Sequence, residues 1–126
     1  MAKKKILVVD DEASLTRMLR RNLEATGKYE VREENSGALA YATAQQFQPD
    51  MIILDVMMPD MDGGDVAAKI QDDESLKHIP IVFLTAILKK EEVAESTGST
   101  IGGRTFLVKP VKVDDLIACI ENHLGK

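Results

Sequence analysis

Four short apolar runs each end on a residue that can do chemistry. Ile6 to Val9 is followed by Asp10 and Asp11, Met51 to Leu54 by Asp55, Ile81 to Leu84 by Thr85, and Phe106 to Val108 by Lys109. Segments of helical period lie between the runs, and alternation of this kind predicts βαβ units around a parallel sheet. In an open parallel sheet every strand's carboxyl end opens onto one rim, so groups far apart in sequence meet in one crevice. The fold class expected is therefore α/β, a doubly wound five-stranded parallel sheet with up to five helices on its two faces.

Lys4 to Asp10 reads as the first strand. Leu15, Met18, Leu19, Asn22 and Leu23 fall at helical spacing, a stripe that is apolar except at Asn22, and Gly27 is a stop signal. Tyr29 to Glu33 is short and polar enough for an edge strand, and Asn35 or Ser36 is placed to cap an Ala-rich helix reaching about Gln46. Met51 to Leu54 is apolar at every position, as in a central strand. A helix carrying Val66 and Ile70 follows the loop from Pro59 to Gly64, Pro80 introduces the fourth strand, Thr105 to Val108 is the last, and Val113 or Asp114 opens the final helix. The fourth helix, expected between Lys89 and Thr97, is short, because Thr97 to Gly103 is rich in breakers.

At 126 residues the chain fits one compact domain, 1–126, that needs no disulfide or structural metal to fold. Lys3, Lys4 and Lys5 resemble the start of a signal peptide, but the apolar run after them stops at Asp10, and no segment reaches the ~18 residues of a membrane span. A soluble cytoplasmic protein is expected. The net charge of −5 disfavours nucleic acid and anionic membrane surfaces and favours a protein partner. The single Cys119 shares a helical pattern with Leu116, Ile120 and Leu124 and reads as a buried, inert thiol.

Taken singly, Asp10 or Asp11 reads as a cap for the first helix, Thr85 as a partner for nearby backbone, and Lys109 as a solvated strand end. Asp55 differs, since it follows a strand buried on both faces and no helix starts directly after it. Asp60, Asp62, Asp72 and Asp73 read as solvated loop charges, and His78 and His123 as surface histidines.

Together, Asp10-Asp11, the stretch Asp55-Val56-Met57-Met58-Pro59 with Gly63 nearby, Thr85-Ala86 and Lys109-Pro110 resemble a response regulator receiver domain of two-component signalling, chemotaxis-receiver-like and stand-alone. The resemblance covers essentially the whole chain and implies the flavodoxin-like strand order 2-1-3-4-5. It also implies that Asp55 is the site of phosphorylation. Asp11, Asp55 and the Met57 carbonyl are implied as direct metal ligands, with Asp10 acting mainly through water, and the Lys109–Pro110 bond is implied to be cis. The donor implied is a phosphohistidine on a sensor histidine kinase or histidine phosphotransfer protein. The downstream protein target is unknown and homodimerisation stays open.

The chemistry is consistent with that family. Carboxylates converging within about 4 Å repel by roughly 4 kcal/mol per pair at an effective dielectric of 20, so the site wants a cation. Oxygen ligands suit Mg²⁺, with Mn²⁺ as a substitute, better than zinc. Asp55 can accept a phosphoryl group as an acyl phosphate, Lys109 supplies a fixed positive charge, and the Thr85 hydroxyl can donate to a phosphoryl oxygen. The resemblance implies a chain that catalyses its own phosphorylation and dephosphorylation and is not otherwise an enzyme. For output, Thr85 is expected to move toward the phosphoryl group and let Phe106, at the position of the family's switch aromatic, turn inward, changing the face of the fourth helix, fifth strand and fifth helix. Two apolar residues, Met57 and Ile87, are expected to exclude hydrolytic water.

Other readings compete. A phosphatase of the haloacid dehalogenase type needs a second Asp two residues after its nucleophile, where Met57 stands. A flavodoxin-like flavin binder needs a phosphate-cradling loop after the first strand, where Asp11 and Glu12 repel phosphate. A receiver-like scaffold that is never phosphorylated is the third. Val111 departs from the family, which often has an aromatic there.

Overall fold

The structure, a computed structural model, describes residues 3–86, 99–101 and 104–125. Among these, the chain runs β1 (Lys4–Val9), α1 (Ala13–Ala25), β2 (Tyr29–Glu34), α2 (Gly37–Phe47), β3 (Met51–Asp55), α3 (Gly63–Asp72), β4 (Ile81–Thr85), β5 (Ser99–Ile101), β6 (Arg104–Val108) and α4 (Val113–Leu124). The helix expected between Lys89 and Thr97, and Ile87, lie outside the described residues.

Strands β2, β1, β3, β4 and β6 are parallel neighbours in that order, which is the order 2-1-3-4-5 among the parallel strands. The sequence missed one strand. β5 pairs antiparallel with β6 at the sheet's edge, Ser99 opposite Phe106 and Ile101 opposite Arg104. The breaker-rich composition hid it, although Gly102-Gly103 between two β-branched runs is itself a hairpin signal.

Side chains alternate across the strands and so feed two cores. Ile6, Val8, Ile53, Val82 and Leu107 pack against α1 and α4, while Leu7, Val9, Ile52, Leu54 and Phe83 pack against α2 and α3. Every residue of β3 is buried, as a strand covered by helices on both faces must be. Cys119 is buried in the first core, and burial pushes its thiol up to about 11. Val111 is part of that core. The stripe read along α1 is displaced: its buried line is Thr16, Leu19 and Leu23, while Met18 and Asn22 are exposed.

Register builds the rim. Val9 lies opposite Leu54, so Asp10 emerges level with Asp55. Likewise Asp55 lies opposite Leu84 and Thr85 opposite Val108, so Thr85 and Lys109 each stand one step further along.

Three acidic residues read as solvated loop charges have structural partners. Asp60, from the loop after β3, accepts hydrogen bonds from Ser36 Oγ (2.8 Å), Ala38 N (3.1 Å) and Gly37 N (3.3 Å), and these hold its carboxyl below the usual range. It caps α2 in place of Ser36, whose own side chain makes no capping bond, and neither does that of Asn35. Asp62 caps α3 by accepting from Gly64 N at 2.7 Å. Asp73 accepts from Tyr41 Oη, Ser75 and Gln45, joining α2 to the end of α3. A distant residue can cap a helix as well as a neighbour can, and sequence spacing reveals only the neighbour.

Candidate functional site

Asp10 and Asp55 are buried carboxylates at the ends of adjacent central strands, 0% and 3% exposed, and Asp11 is exposed beside them. One ligand oxygen from each of the three lies within 4.8 Å of the others. Lys109 Nζ sits 2.8 Å from Asp10 Oδ2, 3.5 Å from Asp55 Oδ1 and 3.6 Å from Glu12 Oε1. The Lys109–Pro110 peptide bond is cis. Thr85 ends β4 with its side chain buried. Ala86, Lys109, Pro110 and Val111 then line a groove of about 510 Å³ together with Glu12, Leu15 and Met18 of the α1 end.

The electrostatics are unfavourable without a cation. Burial, then repulsion from Asp10, pushes the Asp55 carboxyl up to about 6, against the attraction of Lys109. Burial also raises Asp10, which the Lys109 contact and the Glu12 amide only partly offset. For Lys109 the largest effect is burial, which lowers it, but its close contact with Asp10 and the charges of Asp10, Asp55 and Glu12 outweigh that and raise it overall. Asp10 Oδ2 is fully buried and accepts no hydrogen bond of good angular geometry; its near neighbour is the ammonium at 2.8 Å. Asp55 Oδ1 receives a long bond from Met57 N, 3.4 Å. Three carboxylates, one with a poorly satisfied buried oxygen, form a hard oxygen donor set that fits a divalent cation such as Mg²⁺.

The fold thus brings together Asp10, Asp11, Asp55 and Lys109, with Thr85 on the next strand. The Met57 side chain, 65% exposed, points to solvent and offers the site its backbone. Phe106 is elsewhere: its ring is half-buried and stacks on Phe83 with centroids 5.4 Å apart, on the α2 and α3 side. Two contributors escaped the sequence. Glu12 extends the acidic pair to a third residue facing Lys109, a signal visible in the run Asp10-Asp11-Glu12. Asn35, weighed only as a helix cap, instead donates from Nδ2 to the Asp10 carbonyl at 2.8 Å and to Thr16 Oγ1 at 3.0 Å.

Comparison with known proteins agrees with this geometry. Residues 6–121 match the family model for the response regulator receiver domain. The polar-differentiation response regulator DivK of Brucella ovis is 32% identical over 123 residues, 97% of either chain. The DNA-binding dual master transcriptional regulator RpaA of Synechocystis is 34% identical over 122 residues, 97% of this chain but 49% of that protein, so the chain spans about half of that relative's length. Among solved structures, the chemotaxis protein CheY4 of Vibrio cholerae superposes with a TM-score of 0.82 at 33% identity, covering 98% of this chain and 100% of the other. No helix among the described residues is long and apolar enough to cross a membrane. Fold, acidic rim and these likenesses agree, and the chain belongs to the response regulator receiver domain family of two-component systems.

Proposed function

We propose that this chain is the phosphoacceptor of a two-component phosphorelay, taking a phosphoryl group from a phosphohistidine onto Asp55. The observation that carries the reading is the buried Asp55 carboxylate, with the Lys109 ammonium 3.5 Å from Oδ1 and two further carboxylates converging on it. Asp55 attacks phosphorus through one carboxylate oxygen as the donor's N–P bond breaks, its electron pair staying on nitrogen; with the ring's other nitrogen protonated, the products are an acyl phosphate and a neutral imidazole. Lys109, held by Asp10, presents a fixed positive charge to the phosphoryl oxygens, and the Thr85 hydroxyl donates to another of them. Asp11, Asp55 and the Met57 carbonyl would hold Mg²⁺ directly, and Asp10 would hold it through water. When bound, Mg²⁺ neutralises the converging carboxylates and the charge of the transferring group. The positioned charges are what the transfer needs, since phosphoryl transfer depends mostly on orientation and electrostatics.

The donor is a sensor histidine kinase or a histidine phosphotransfer protein, met in the cytoplasm, and 1–126 acts as a single receiver unit. Output follows from Thr85 moving to the phosphoryl group and Phe106 leaving its stack on Phe83 to turn inward. The family assignment argues against the phosphatase and flavin readings, and an exposed Met57 supplies no general acid. Intact mass after incubation with Mg²⁺ and a small-molecule phosphodonor tests the reading. One phosphoryl group should add to the wild type and none to Asp55→Asn or to wild type in a metal chelator. No gain in the wild type would leave the unphosphorylated scaffold.

A further inference from the structure

The turn between β2 and α2, residues 34–38, grips both acidic loops. On one side Asn35 Nδ2 donates to the Asp10 carbonyl at 2.8 Å, and Asp10 N donates to the Glu34 carbonyl at 3.1 Å. On the other, the Asp60 carboxylate is held by Ser36 Oγ and by the Gly37 and Ala38 amides at the start of α2, where the helix dipole favours an anion. The fit there is tight, since a Cβ on Gly37 would stand 2.9 Å from the Met61 carbonyl oxygen. Asp11 belongs to the first loop and the Met57 carbonyl to the second, which starts directly after Asp55 at the end of β3, so the fit of a divalent cation between them depends on how far apart the loops are held. Mutual repulsion of Asp10, Asp11 and Asp55 pushes the loops apart, and bonds from one short turn to both oppose that push.

We propose that the β2–α2 turn is a brace that sets the spacing of the two acidic loops, and that Asn35 and Asp60 are positioning residues for the divalent cation at Asp55. The brace deepens the phosphoacceptor reading and rests on it. Neither residue is a ligand in that reading; each acts through backbone that carries ligands.

Two measurements test it. Calorimetric titration with Mg²⁺ should give about tenfold weaker binding for Asn35→Ala and for Asp60→Ala, the loss typical of groups that orient metal ligands. Asp60→Asn keeps one acceptor oxygen for Ser36 Oγ and Ala38 N but loses the longer bond from Gly37 N, so its Mg²⁺ affinity should fall between that of wild type and that of Asp60→Ala. Ser36→Ala removes a hydroxyl and no charge, so weaker Mg²⁺ binding in that variant separates bracing from simple loss of a negative charge. In metal-free protein, amide hydrogen exchange of residues 56–62 should speed up in Asp60→Ala, and that of residues 11–13 in Asn35→Ala. Wild-type Mg²⁺ affinity and wild-type exchange in both alanine variants, with only a lower melting temperature, would overturn the brace. Wild type that neither binds Mg²⁺ nor gains a phosphoryl group would instead overturn the phosphoacceptor reading, while the exchange data would still decide the brace.

Discussion

At the scale of single residues, the site is a buried charge conflict whose sign can be worked out. The Asp55 carboxyl stands at about 6 in the fold, mainly through burial, against roughly 3.9 in an unfolded chain. The metal-free fold therefore holds the Asp55 proton more tightly than the unfolded chain does. Stability from this group is fully present below the unfolded value and is lost as pH rises through about 6, a loss on the order of 2–3 kcal/mol at neutral pH. Metal-free protein should melt higher at pH 5 than at pH 7.5, before loss of the Asp60 and Asp73 interactions reverses the trend at lower pH. With Mg²⁺ the slope should invert, because the cation needs ionised ligands. Thermal unfolding across pH, with and without Mg²⁺, checks both slopes, and Asp55→Asn should flatten the metal-free one and raise the neutral-pH melting temperature. Asp55 was legible in the sequence on its own, because a carboxylate after a strand buried on both faces has few structural uses, whereas Lys109 read as functional only together with the other rim residues. Asn35 was not, since its part depends on a turn whose path only the folded backbone defines, and Glu12 showed only as the third acid of the run Asp10-Asp11-Glu12.

At the scale of elements, the loops that carry the chemistry are fixed by contacts with no chemistry of their own. Gly63, the first residue of α3, lies so close to β3 that an added Cβ would stand 2.3 Å from the Asp55 carbonyl oxygen and 2.9 Å from Val56 Cα. Backbone on both sides leaves nothing to yield. Gly63→Ala should cost about 3 kcal/mol in chemical denaturation, the upper range for overpacking, and should also weaken Mg²⁺ binding by displacing Asp55. At the other end of the sheet, Lys4 Nζ reaches the Leu124 and Gly125 carbonyls at 2.6 and 2.8 Å and closes the C-terminus of α4. Lys4→Met should lower stability by about 0.5–1 kcal/mol, read from the urea midpoint, with phosphorylation unchanged. The periodicity of the sequence was enough for the parallel strands and for α1 to α4, because hydrophobic period is a local property. The caps at Asp60 and Lys4 bridge residues far apart in the chain and could be found only from the fold, while β5 is too short for a period to declare itself and left only the Gly102-Gly103 signal.

At the scale of the whole molecule, parallel strands deliver residues 10, 55, 85 and 109 to one rim by register alone, while Phe106, three residues before Lys109, stacks on Phe83 below the rim. In the proposed reading, a charge event at Asp55 reaches β6 through Thr85 and then Phe106, whose ring packs on the α2 and α3 side. A beryllium fluoride adduct of the wild type should shift amide resonances in β6 and α4 as well as at the rim, and in Thr85→Ala the shifts should stay confined to the rim. Shifts in β6 and α4 that persist in Thr85→Ala would remove Thr85 from the route. All of this depends on an acyl phosphate forming at one residue. The most direct measurement is borohydride reduction after phosphorylation in Mg²⁺, which converts an aspartyl phosphate to homoserine, followed by peptide mass mapping. Homoserine at position 55, absent when Mg²⁺ is chelated, is the outcome expected; homoserine at another position, or none while the protein binds Mg²⁺ normally, would contradict the phosphoacceptor function assigned to Asp55.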